Sequence, residues 1–89
     1  MPDRSEIRDI LVELLESDTG EKYADLDDTK NLRDDLGLDS VDVVSIVSQI
    51  ERRFRIRLTH QELEKLVTVG DVLTLLESKL ANPPGTAAA

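Results

Sequence analysis

The chain has 89 residues, no cysteine, one histidine, one tyrosine and 19 acidic against 11 basic residues, for a net charge of −8. One domain of this size builds a core that folds alone but has no room for a deep enclosed active site, and without cysteine it forms neither disulfides nor thiolate metal sites. A surface so acidic repels phosphate backbones and anionic lipids, so protein partners rich in Lys and Arg are expected rather than nucleic acid or membrane.

Ser5 to Glu16 reads as a first helix. Ser5 is placed to cap it, Ile7, Ile10, Leu11, Leu14 and Leu15 recur at helical spacing, and Asp18-Thr19-Gly20 stops it. Tyr23 to Asp39 is a long connection with Leu26, Leu32, Leu36 and Leu38 as apolar anchors. Connections of this length hold a turn of their own or carry function.

Ser40 to about Arg53 gives the clearest helix, with Val43, Ile46, Val47, Ile50 and Phe54 as its apolar stripe. Thr59, with Glu62 three residues on, opens a short third helix as a capping box, and Leu63 and Leu66 are expected to face inward. Thr68 caps a last helix from about Val69 to Leu80, whose apolar face is Val69, Val72, Leu73, Leu76 and Leu80. Asn82-Pro83-Pro84-Gly85 ends it. The expected architecture is all-α, a four-helix bundle with a long first loop and a short third helix. It divides into a folded domain over 1–81 and a disordered tail over 82–89. No apolar run reaches the length of a membrane span and 1–20 is too charged for a signal peptide, so a cytoplasmic location is expected.

Charge is unevenly spread. Met1 to Glu51 holds 15 acidic and 5 basic residues, and Arg52 to Ala89 holds 4 and 6, giving −10 and +2. The acidic loop residues Asp25, Asp27, Asp28, Asp34 and Asp35 lack the alternating register, central glycine and distal glutamate of an EF-hand, so no dedicated metal site is expected. Arg52, Arg53, Arg55 and Arg57 are read as complementing the negative end of the second helix rather than as a nucleic-acid patch.

The segment "GLDSVDVV" raises the chemical question. Asp39 as N-cap with Asp42 at the third helical position accounts for both carboxylates as structure. It does not account for Ser40 at the mouth of the helix, nor for Gly37 before it, where the chain turns with nothing large beside the serine. A hydroxyl there is exposed and near unpaired amides that favour a phosphate ester. A catalytic Ser40–His60 pair is the weaker alternative, since the glycine pattern of a nucleophile elbow is missing. Val41, Val44 and Ser48, with Asp42, Ser45 and Glu51 nearby, form an outward face suited to docking a partner.

"LGLDSVDVVSIVSQIERRF", on the second of four helices in an acidic chain of this length, resembles the acyl carrier proteins of fatty acid and polyketide synthesis. The resemblance covers about Ser5 to Leu80. The family's Asp-Ser-Leu attachment motif stands here as Asp39-Ser40-Val41. The resemblance implies that Ser40 receives 4′-phosphopantetheine from coenzyme A through a separate phosphopantetheinyl transferase, with Asp39 positioning the serine and the transferase's metal. The arm's thiol would then hold acyl intermediates as thioesters and present them to acyl-transferring and condensing enzymes with basic docking patches. The chain itself would be a monomer and not an enzyme.

Ser45, Ser48, Arg52 and Arg53 stand where housekeeping members carry glutamate, methionine and acidic residues, which points to a specialised member serving fatty acid, polyketide or specialised lipid synthesis. Two alternatives stay open. A peptidyl carrier would show a Gly-Gly-x-Ser context, and an unmodified helical interaction domain would use Ser40 only as a cap.

Overall fold

Four helices, α1 (Arg4–Thr19), α2 (Ser40–Phe54), α3 (His60–Glu64) and α4 (Val69–Ala81), follow one another in a computed structural model that describes residues 3–23 and 26–81. The segment 82–89, expected to be a disordered tail, lies outside the described residues, as does Asp25.

α1 starts one residue earlier than its hydrophobic pattern predicts, because Asp3 and not Ser5 is the cap. The Asp3 carboxylate accepts from the Glu6 amide at 2.9 Å. An aspartate at N-cap also complements the positive helix end, which a serine hydroxyl does not. The helix runs on to Thr19 and ends at Gly20, in the left-handed conformation with φ of 78°.

α1 packs against α2 and α4. Ile7, Leu11 and Leu15 meet Ile46 and Ile50 of α2 and Val69, Val72, Leu73 and Leu76 of α4 in one buried cluster. Each such side chain contributes roughly 1.5–3 kcal/mol on burial. Val43 and Phe54, the ends of the α2 stripe, are partly buried against the same cluster, as is Leu66; Leu63 is half-buried outside it. Ile56, in the connection after α2, is a core residue that helical periodicity does not reveal.

The long loop is held at its leucines. Leu26, Leu32 and Leu38 are buried and Leu36 half-buried, and residues 32–36 form the expected local turn. Three backbone bonds stitch the loop to the start of α4: Leu32 N to Val67 O, Val69 N to Lys30 O and Gly70 N to Asp28 O, at 2.9, 2.9 and 3.0 Å. Gly70 makes this approach possible, since a Cβ there would lie 3.1 Å from both the Cβ and the carbonyl oxygen of Asp28.

Charge completes the clasp. Arg4 pairs with Asp28 and with Glu77 of α4, and Arg8 also reaches Asp28. The Arg4 guanidinium, assisted by Arg8, holds the Asp28 carboxyl below the usual carboxylate range. Two other carboxylates are lowered where they cap helices. Glu62 accepts from the Thr59 amide and pairs with Lys79, and Asp71 accepts from the Thr68 and Val67 amides.

Candidate functional site

The head of α2 is built by reciprocal capping. The Asp42 amide donates to Asp39 Oδ1 at 2.8 Å, and the Asp39 amide donates to Asp42 Oδ2 at 3.3 Å. The Val43 amide is satisfied by the Asp39 carbonyl at 3.0 Å. Ser40 and Val41, the first two helical residues, therefore keep backbone amides with no intrahelical acceptor. Both Asp39 and Ser40 are exposed, so the Ser40 hydroxyl stands in solvent beside the positive end of a 15-residue helix.

What aims the serine is the turn before it. Asn31 Oδ1 accepts from the amides of Arg33 and Asp34, both at 2.9 Å, and the Gly37 amide returns to the Arg33 carbonyl at 3.0 Å. The Leu38 amide then donates to the Leu32 carbonyl at 3.0 Å, and the Leu38 side chain is buried. Gly37 takes a φ of 71°, and nothing lies within 4 Å of the place where its Cβ would be. The chain is thus pinned two residues before Ser40, and Gly37 makes the turn in open space.

The docking residues expected from the sequence divide into two groups. Val41 and Val44 are 75% and 62% exposed, and Ser48 is also exposed, so these three form a free face. The other three have internal partners. Ser45 Oγ donates to Asp18 Oδ1 at 2.6 Å, which Gln49 also engages at 3.0 Å, tying α2 to the end of α1. Glu51 Oε2 accepts from the Leu58 amide at 2.9 Å, and Asp42 serves the capping box.

His60, the candidate base for Ser40, is exposed and pairs with Glu64 on its own helix at 2.9 Å. Of the acidic loop, Asp28 is taken by Arg4 and Arg8, and Asp35 accepts from the Asn31 amide at 2.6 Å. Asp27 binds the Thr29 hydroxyl and amide at 2.6 and 2.9 Å. Among the described residues no group of carboxylates or histidines is arranged to hold a metal ion.

Two of the spaces near this region meet. An open groove of about 420 Å³ runs between the loop and α3, lined by residues including Asn31, Arg33, Asp34, Glu64 and Val67. Behind it an apolar seam enters the core between the helices, with a cavity of only about 20 Å³, room for about one water molecule. Leu32, Val43 and Leu66 line both, so groove and seam meet at these three side chains. This junction is not visible in the sequence, because its members come from the loop, α2 and the α3–α4 connection.

Comparison with known proteins places the chain in a family. The family model described as the phosphopantetheine attachment site matches residues 5–76. An acyl carrier protein of Exiguobacterium sp. (strain ATCC BAA-1283 / AT1b) is 37% identical over 75 residues, covering 84% of this chain and 90% of that protein. The crystal structure of an acyl carrier protein from Thermotoga maritima superposes with a TM-score of 0.81 at 27% identity, covering 88% of this chain and 91% of the other. Among the described residues no helix is long and apolar enough to cross a membrane. The chain belongs to the acyl carrier protein family, defined by its phosphopantetheine attachment site.

Proposed function

We propose that Ser40 is the residue that takes the phosphopantetheine, and that the chain then carries acyl groups for a dedicated biosynthetic pathway. As a family member the protein is a carrier and not itself an enzyme, and its cofactor is a covalently attached 4′-phosphopantetheine. The observation that carries the assignment to Ser40 is its exposed hydroxyl on the first residue of a rigidly capped helix, beside two free amides.

The residues fit the group. A phosphodiester on Ser40 Oγ would lie by the free amides of Ser40 and Val41, where the helix end favours negative charge. The Asp39–Asp42 box holds the helix start in place during loading. When bound, the arm supplies the thiol that a chain without cysteine lacks, and acyl groups are held there as thioesters. The groove between the loop and α3 offers polar edges for the arm, and Val43, one helical turn from Ser40, stands where the groove opens into the core seam. The seam is closed down to about 20 Å³. An acyl chain therefore enters only if the helices part, with α3 the element least anchored in the core since it has no buried residue.

Partner enzymes, the transferase among them, would meet the carrier on the face of Val41, Val44 and Ser48, presenting basic groups toward the acidic residues around Ser40. The protein would work as a cytoplasmic monomer over 1–81, in a specialised rather than a housekeeping pathway. The test is intact mass before and after incubation with coenzyme A and a broad-specificity phosphopantetheinyl transferase. One added phosphopantetheine, absent in Ser40→Ala, supports the assignment. No gain under conditions that load a control carrier overturns it.

A further inference from the structure

The same helix that begins in a field of carboxylates ends in unpaired cations. Arg52, Arg53, Arg55 and Arg57 are all exposed, and none of their guanidinium groups forms an ion pair among the described residues. Arg4 and Arg8, in contrast, are both paired. Complementing the helix end explains Arg52 and Arg53, which lie in the last turn of α2. It extends to Arg55, the C-cap, but does not explain Arg57, two residues further on.

Two features turn this concentration of charge into a surface. Arg52 shares a face with the exposed docking stripe: at about 100° per residue, Val41, Val44, Ser48 and Arg52 fall within an arc of about 80°. Along the axis, Arg52 lies about 18 Å from Ser40. The end of that face is also concave. A depression of about 270 Å³ is lined by Ser48, Glu51, Arg52, Ile56 and Arg57. Its one carboxylate, Glu51, already accepts from the Leu58 amide. Four arginines against this glutamate leave the end of the helix at +3.

We propose that this depression receives a carboxylate side chain from an acidic segment of a partner protein lying along α2, with Arg52 and Arg57 as its two forks. The proposal rests on the reading of α2 as the docking face of a carrier. It adds that the partner must be bipolar, basic near Ser40 and acidic near Arg52. Guanidinium groups match carboxylates in paired geometry. A polyanion such as nucleic acid or an anionic membrane would also find the arginines, but it extends past them to the −10 carried by residues 1–51, whereas a short acidic segment spans only the end of α2.

The experiment is a titration of the isotope-labelled full chain with a hexaglutamate peptide, followed by backbone amide shifts. Saturable shifts confined to residues 48–58, suppressed by high salt, are expected. In Arg52→Gln/Arg57→Gln, checked for an otherwise unchanged spectrum, affinity should fall about tenfold as two charge-assisted contacts are lost. An unchanged affinity in the double variant overturns the proposal, and so does absence of shifts at 48–58. Equal or tighter binding of an oligothymidylate or of phosphatidylglycerol vesicles at the same residues also overturns it, in favour of a general polyanion site. Ser40→Ala should keep the full peptide response. Failure of phosphopantetheine loading and failure of this proposal therefore read out separately.

Discussion

Asp39 and Asp42 each bind the other's backbone amide, at 2.8 and 3.3 Å, and Ser40 sits between them with its hydroxyl in solvent. The two carboxylates do the capping that the serine would otherwise do. Ser40 is therefore dispensable to the fold, and its chemistry can be tested without disturbing the helix it stands on.

Ser40→Ala should change stability by no more than about 0.5 kcal/mol, as for an exposed surface position, while losing all phosphopantetheine loading. Asp39→Ala should cost about 1 kcal/mol through the lost cap. Asp39→Asn caps nearly as well as aspartate, so it should keep most of the stability yet load slowly, if the carboxylate helps hold the transferase's metal. Urea melts alongside intact-mass time courses separate the two effects.

Gly37 gives a second handle on the site. Its φ of 71° lies in the left-handed region, and the space around it is open. Gly37→Ala should thus cost about 1 kcal/mol from backbone conformation alone, and Gly37→Asn less. A clash-driven loss of several kcal/mol would contradict this, and chemical denaturation measures it.

The clasp between α1, the loop and α4 sets the acid response. Asp28 titrates below the ordinary aspartate value because of Arg4 and then Arg8. Its stabilising contribution is therefore fully present above the unfolded-state value, near pH 4, and is lost as pH falls through the lower folded value. Glu62 and Asp71 are lowered too and act in the same direction. Stability should fall steeply below about pH 4, and Asp28→Asn should flatten part of that fall while lowering stability at neutral pH. Melts across pH 2–7 read both arms.

Val43, with Leu32 and Leu66, stands where the groove meets the seam. In the loaded protein, an octanoyl group on the arm should raise the melting temperature of the wild type, since each buried methylene is worth about 0.8 kcal/mol. Val43→Phe should load normally and show little or no such rise. An equal rise in both would mean the chain lies elsewhere.

Much of this was legible from local grammar. The caps of α2 and α3 were readable because their partners are three residues apart, Asp39 with Asp42 and Thr59 with Glu62. The core stripe of α2 was readable because one helix face repeats it. What escaped was settled by distance along the chain. Arg4 meets Asp28 and Glu77 across 24 and 73 residues, and Ser45 finds Asp18 across 27. No window of sequence contains both members of these pairs. The choice of Asp3 over Ser5 escaped for another reason: both residue types cap helices well, and periodicity fixes a helix start only to within a turn.

The three backbone bonds that join the loop to the start of α4 bear on how the molecule breathes. By length the first loop should be the soft part of the chain, yet its middle is fastened like a sheet edge. α3 buries no side chain; among the described residues Glu62 alone ties it to Lys79 of α4, and its flanks are held where Glu51 takes the Leu58 amide and Asp71 the Val67 amide. In hydrogen exchange, the amides of Leu32 and Val69 should be protected together, while those of α3 exchange early. The moving wall of the groove is then the shortest helix, a door hung at both edges, and the long loop is its frame.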